Sequence, residues 1–207
     1  VKRFDVIVAG GGAMGTAATW QLAARGVRTV CLDRFAPPHA LGSSHGATRI
    51  IREAYFEHPL YVPLVRRAYV LWGELASGVA VVPVYTLTGG VYVGPPRSTL
   101  IRGVLASVTT HNIAHDVLDP EALAKRFPAL RAEKGMTAIV EERAGFLHVS
   151  AAIRAMRGAA MAGGAVFEDF APVESFTLTR DGVTVRTAQQ EYVADRLVVA
   201  VGAWIRE

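Results

Sequence analysis

Three glycines and an acid carry the first chemical signal in this sequence. Gly10, Gly12 and Gly15 satisfy G-x-G-x-x-G within Gly10-Gly11-Gly12-Ala13-Met14-Gly15, and Asp33 follows Gly15 by 18 positions. Phosphate chemistry accounts for the pattern. The first glycine permits a tight turn, and the second lets the backbone approach a pyrophosphate where a β-carbon would collide. The third lets the following helix pack closely on a sheet. An acid about 20 residues further on is placed to hold an adenosine ribose. Ala13 and Met14 inside the motif, and Arg34 beside Asp33, are counted with the same site. Asp33 suits NAD as well as FAD, so these residues alone leave the dinucleotide open.

The second signal is basic. Ser43-Ser44-His45-Gly46-Ala47-Thr48-Arg49-Ile50-Ile51-Arg52 reads as a short helix capped by Ser43 or Ser44. A helix there sets His45, Arg49 and Arg52 at i, i+4 and i+7 along one face. Such a face ordinarily meets solvent. Its position just after an acid-terminated strand, where an extended cofactor would run, favours a ligand instead.

These residues need a frame to hold them. Phe4 to Ala9 is almost continuously apolar, as in a parallel strand buried on both faces. Met14 to Arg25 has helical spacing, and Gly26 stands where a helix ends in a left-handed residue. Val27 to Leu32 is expected as the second strand. Pro37-Pro38 opens an irregular loop through Gly42, and Pro59 to Ala76 reads as a longer helix. Strands are expected over Val81 to Tyr85, Gly90 to Val93, Thr137 to Val140 and Gly145 to Leu147, with a helix over Ser98 to Ser107. Asp119-Pro120-Glu121 has the signature of a helix start, and that helix ends before Pro128. His148 to Ala162 is an amphipathic helix stopped by Gly163-Gly164. Ala165 to Phe167, Val173 to Leu178 and Val183 to Thr187 are expected strands, the last two joined by a turn at Arg180-Asp181-Gly182. Arg196 to Gly202 repeats the first strand, an apolar run ending in glycine. Ligands of open parallel sheets bind beyond the carboxyl ends of the strands, which brings Gly202 toward the same cofactor.

Composition narrows the classes. The chain has 207 residues, 51% apolar and 19% charged, which fits a folded domain rather than a disordered chain. Its net charge of +4 is scattered, without the basic runs or aromatic interleaving of a nucleic-acid binder. No segment reads as a secretory signal or a membrane span, and a cytoplasmic location is expected. The single cysteine, Cys31, lies in the apolar run Val30-Cys31-Leu32 and is expected as a buried thiol. No metal site is expected.

Phe4 to Gly15, Asp33, Pro37-Pro38-His39, Gly42 to Arg52, Tyr61-Val62-Pro63 and Leu197 to Trp204 together resemble the monomeric sarcosine oxidase and N-methyltryptophan oxidase family. These are FAD-dependent amine oxidases related to D-amino-acid oxidase and glycine oxidase. The most specific part is the His-Gly-x-Thr-Arg-Ile-Ile-Arg stretch. The resemblance implies an α/β fold with a Rossmann-like FAD-binding domain, residues 1–83 and 145–207, and the change of texture from Gly78 marks residues 84–144 as an inserted, partial α+β substrate subdomain. It implies FAD as cofactor, with Gly10, Gly12, Gly15 and Asp33 holding the ADP moiety. Ser43, Ser44, Thr48 and Ile50 would line the flavin side, with His45 and Arg49 against the ring. Arg52 would meet the substrate carboxylate, Val173 would approach the adenine, and Gly202, Ala203 and Trp204 would form the last cofactor-contacting turn.

The implied reaction oxidises a small N-methyl or other secondary amino acid. A hydride equivalent passes to the flavin, and oxygen is then reduced to hydrogen peroxide. The family is roughly twice this long, and its absent half holds the cysteine of covalent flavin attachment and a lysine tied to oxygen reactivity. A fragment, inactive by itself, is therefore expected. A non-catalytic ADP- or FAD-binding fragment and an NAD-dependent dehydrogenase are the alternatives.

Overall fold

A computed structural model describes residues 1–78 and 82–206. From the N-terminus run β1 (Lys2–Ala9), α1 (Ala13–Ala23), β2 (Thr29–Leu32), β3 (Thr48–Ile51), α2 (Tyr61–Ser77), β4 (Tyr85–Leu87) and β5 (Gly90–Gly94). Next come α3 (Thr99–His111), β6 (His115–Leu118), α4 (Pro120–Arg126), β7 (Thr137–Glu141), β8 (Gly145–His148) and α5 (Val149–Ala162). The chain continues through β9 (Val166–Glu168), β10 (Val173–Thr179), β11 (Gly182–Thr187), β12 (Glu191–Val199) and a 3-10 turn, Gly202–Arg206. Contacts divide these elements into two units. One comprises residues 1–47, 75–84 and 148–207, and the other residues 48–74 and 85–147.

The first unit is built on a six-stranded sheet in the order β10-β11-β12-β1-β2-β9. β12, β1, β2 and β9 run parallel, and β10 and β11 add an antiparallel meander. The apolar run of β1 is buried on both faces, as a central parallel strand requires. Ile7 packs with Val30, Val185 and Tyr192 on one side, while Val6 and Val8 pack with Cys31 and Leu22 on the other. Register aligns Ala9 with both Leu32 and Val199, so three strands end at one level. Gly10 N donates to Leu32 O, and Ala200 N to Ala9 O, which carries the ladder just past those ends.

α1 seats on this edge because its glycines allow it. A β-carbon on Gly15 would lie 1.7 Å from Gly10 O, and the Thr16 hydroxyl donates to Gly11 O at 2.7 Å. Gly26, at φ +73°, ends the helix, with its N–H on Ala23 O and that of Val27 on Leu22 O.

The second unit packs α3 against the antiparallel sheet β5-β7-β6. Its core is Ala54, Val62, Tyr92, Ile101, Val104, Val108, Ile113 and Ile139. The capping signals hold: Ser98 Oγ accepts from Ile101 N at the start of α3, and Asp119 Oδ1 accepts from Ala122 N at the start of α4. A further small sheet has the order β3-β8-β4, with β4 and β8 antiparallel.

Several expectations need correction. Residues 43–52 form no helix. Gly46 takes φ +90°, and Thr48, Ile50 and Ile51, all β-branched, continue as a strand. His45, Arg49 and Arg52 therefore do not share a helical face. The strand expected from Val81 begins only at Tyr85; Val81 itself lies outside the described residues. β6, which contains His115 and Asp116, was not expected at all. β12 starts at Glu191 and stops at Val199, so Gly202 opens the 3-10 turn instead of ending the strand.

Candidate cofactor site

A cavity of about 220 Å³ opens in the first unit where β1, β2 and β12 end. The end of β1 and the glycine turn supply Ala9, Gly10, Gly12, Ala13 and Met14. The end of β2 supplies Leu32, Asp33, Arg34 and Phe35, and the loop after it Pro37, Pro38, His39, Gly42, Ser43 and Ser44. Ile153 of α5, Pro172 and Val173 at the start of β10, and Ala200, Val201, Gly202 and Trp204 after β12 close the wall.

Each glycine of the motif has a distinct spatial reason. At Gly10, φ +97°, a β-carbon would lie 2.5 Å from Ala200 O, so the fold itself demands glycine. Gly15 is demanded by its contact with Gly10. Gly12 differs. Its backbone, φ −66° and ψ −170°, suits any residue, and a β-carbon there would meet only Ser44 Oγ at 3.6 Å. The space beside Gly12 belongs to the cavity. Gly12 is also the N-cap of α1 and offers no side chain to cap it. Ser44 Oγ accepts from Ala13 N at 3.1 Å, and the positive end of the helix dipole points where an anion would sit. Both features fit a pyrophosphate.

Asp33 is nine-tenths buried, and its carboxylate is already oriented. Oδ2 accepts from Gly11 N at 2.6 Å and Oδ1 from Phe35 N at 2.7 Å. His39 Nε2 stands 3.8 Å from Oδ1, while its Nδ1 accepts from Leu41 N. The Phe35 ring meets His39 edge-on at 4.9 Å and Trp204 at 5.9 Å, which gives this wall an apolar lining. Beneath the site, burial pushes the Cys31 thiol up to about 12, against a lowering hydrogen bond with Thr19. A thiol so held is inert at neutral pH.

The cavity thus brings together Gly10, Gly12, Ala13, Met14, Asp33, Arg34, Ser43, Ser44, Val173, Gly202 and Trp204. Gly15 lies behind it, Ala203 is exposed in the 3-10 turn, and His45 is exposed with its Nδ1–H on Gly42 O at 2.6 Å. Thr48, Arg49, Ile50 and Arg52 belong to the second unit. There Thr48, Arg49 and Ile50 are exposed on β3, with Arg49 Nη1 donating to Thr48 O at 2.8 Å. Arg52 pairs with Glu57 Oε1 at 2.6 Å and lies over the rings of Tyr55 and Phe56, at 4.7 and 5.0 Å. Phe35, Ile153 and Pro172 were missed as lining residues. Nothing local marks Ile153 or Pro172: Ile153 comes to the cavity on α5, which packs against α1, and Pro172 comes just ahead of β10.

A strand–helix–strand unit with this glycine turn, on a parallel sheet whose cavity opens at the strand ends, defines a dinucleotide-binding domain. The chain belongs to the DAO family of FAD-dependent oxidoreductases, whose family model matches residues 5–207. The NAD-dependent alternative loses its support with that membership. Among its relatives, the monomeric sarcosine oxidase of Streptomyces avermitilis is 41% identical over 201 residues, covering 97% of this chain and 52% of that protein. The N-methyl-L-tryptophan oxidase of Escherichia coli is 34% identical over 205 residues, covering 99% of this chain and 55% of that protein. The solved structure of NikD, an unusual amino acid oxidase essential for nikkomycin biosynthesis, matches with a TM-score of 0.86 at 25% identity, over 100% of this chain and 53% of NikD. The chain spans about half the length of the curated relatives it matches. No helix among the described residues is long and apolar enough to cross a membrane.

Proposed function

We propose that this chain is the FAD-binding part of an oxidase of N-methyl or other secondary amino acids. The observation that carries the reading is Gly12, a glycine that neither its backbone nor its neighbours require and that borders the cavity. In this reading the space beside it takes the pyrophosphate. The α1 N-terminus supplies N–H donors and a favourable dipole, and Asp33, fixed by Gly11 and Phe35, presents its carboxylate to the ribose hydroxyls. Val173 borders the adenine. Ser43, Ser44, Thr48 and Ile50 line the flavin side, with His45 and Arg49 at the ring. Gly202, Ala203 and Trp204 form the last turn around the cofactor.

Bound FAD would supply the two-electron oxidation of the carbon beside the amine nitrogen, with oxygen as final acceptor and hydrogen peroxide as product. Arg52 would pair with the carboxylate of the amino acid, a contact for which the planar guanidinium is suited. The sequence identity to sarcosine and N-methyltryptophan oxidases supports the substrate class.

The cofactor is tested on the purified full-length protein by acid precipitation and chromatography of released flavin. Flavin that stays with the pellet is identified by peptide digestion and mass spectrometry. FAD is expected by either route; FMN, or a colourless protein that takes up no flavin, would overturn the proposal.

A further inference from the structure

The second unit buries two carboxylates that the proposed function leaves unused, Glu53 at 2% exposure and Glu141 at 1%. A buried carboxylate is costly unless its oxygens are matched by donors. Glu141 is matched by an irregular stretch of backbone. Its Oε2 accepts from Ala54 N at 2.9 Å, and its Oε1 from Glu53 N at 3.3 Å and from the Tyr92 hydroxyl at 2.6 Å. The same hydroxyl lies 3.0 Å from Ala54 O. The following residues are gripped from α3: the Ser107 hydroxyl donates to Tyr55 O, and a β-carbon on Gly103 would lie 2.0 Å from Phe56 O. Glu53 is held in turn by Arg66 of α2 and by Arg143, 3.5 Å away.

Residues 53–56 are therefore fixed peptide by peptide from β5, β7, α2 and α3, although they form no regular element. A connecting loop needs no such clamp, because its polar groups are ordinarily met by water. What the clamp holds in place is the residue before it. Arg52 rests on the rings of Tyr55 and Phe56 and pairs with Glu57 Oε1 at 2.6 Å, so the segment that follows it sets the height and direction of its guanidinium.

We propose that Glu141 is a positioning residue for Arg52, fixing through the N–H groups of Glu53 and Ala54 the geometry with which Arg52 receives the substrate carboxylate. The inference rests on the proposed role of Arg52. Glutamine at 141 keeps the shape but replaces one acceptor oxygen by an NH₂ that faces a backbone N–H, so one arm of the clamp is lost.

The test uses the full-length flavoprotein and sarcosine, or whichever N-methyl amino acid the wild type oxidises. Glu141→Gln is expected to raise KM about tenfold, with kcat changed by no more than about twofold, because a charge-assisted contact is misplaced rather than removed. Flavin content stays at the wild-type level, and amide exchange rises in the peptide spanning residues 52–57 but not in α1. Adding Glu141→Gln to Arg52→Ala gives no further rise in KM, since the effect passes through Arg52. Tyr92→Phe, which removes one donor and keeps the ring in the core, moves KM in the same direction by less. That variant carries the test if Glu141→Gln does not fold. An Arg52→Ala variant with unchanged KM would bring down the proposed function and this inference with it. An effective Arg52→Ala beside a silent Glu141→Gln or Tyr92→Phe, or additive effects in the double variant, would overturn this inference alone.

Discussion

The two units orient their buried acids by opposite means. In the first, Asp33 is held by Gly11 N and Phe35 N, 22 and 2 positions away, within a single strand–helix–strand unit. In the second, Glu141 reaches back 87 and 88 positions to hold Ala54 and Glu53. The first arrangement follows from close backbone approaches that leave glycines in the sequence. The second exists only once β7, β5 and α3 have assembled around the segment after β3. A cofactor site of the first kind can be written as a short motif, whereas a clamp of the second kind cannot.

The largest expected effect breaks the first unit where backbone meets backbone. Gly15→Ala puts a β-carbon 1.7 Å from Gly10 O, a contact that no side-chain rotation relieves. Destabilisation of about 3 kcal/mol or more is expected, visible as a lowered urea midpoint or an insoluble product. A Gly15→Ala protein with wild-type stability would show that α1 does not seat on the glycine turn as described.

A smaller effect sharpens the second unit. Burial raises the Glu141 carboxyl above its ordinary value, against the lowering effect of its hydrogen bonds with Tyr92, Ala54 and Glu53. The charged groups facing it are Glu53, itself paired with Arg66 and Arg143. The folded state then keeps the Glu141 proton to higher pH than the unfolded chain does. Stability from this group is full below the ordinary carboxyl value and declines as pH rises through the raised one. Urea midpoints compared from acid to neutral pH should show that decline in the wild type and a flatter profile in Glu141→Gln. Parallel profiles would contradict it.

What the sequence disclosed follows the same division. The β1–α1–β2 unit, the Gly26 stop and the Asp119-Pro120 helix start were legible because each rests on the conformational limits of one or two residues. The stretch from Ser43 to Arg52 was misread. The spacing of its cations fits a helix, but Gly46 at φ +90° and the β-branched Thr48, Ile50 and Ile51 decide for extended chain. β6 was invisible because its exposed residues, His115 and Asp116 among them, give no alternating apolar pattern. At the site, Gly10 to Gly15 and Asp33 carried their own signal. Ile153 and Pro172 carried none, and neither did Glu141, whose partners lie more than half a domain earlier in the chain.

The central claim is that the space beside Gly12 is reserved for a cofactor and not for the fold. Gly12→Ala tests it most directly, by flavin content and melting temperature measured on the same full-length preparation. The account predicts loss of most of the bound FAD, with the melting temperature of flavin-free protein within about 2 °C of the flavin-free wild type. A Gly12→Ala protein that keeps its full complement of FAD, or one destabilised as severely as Gly15→Ala, would contradict it.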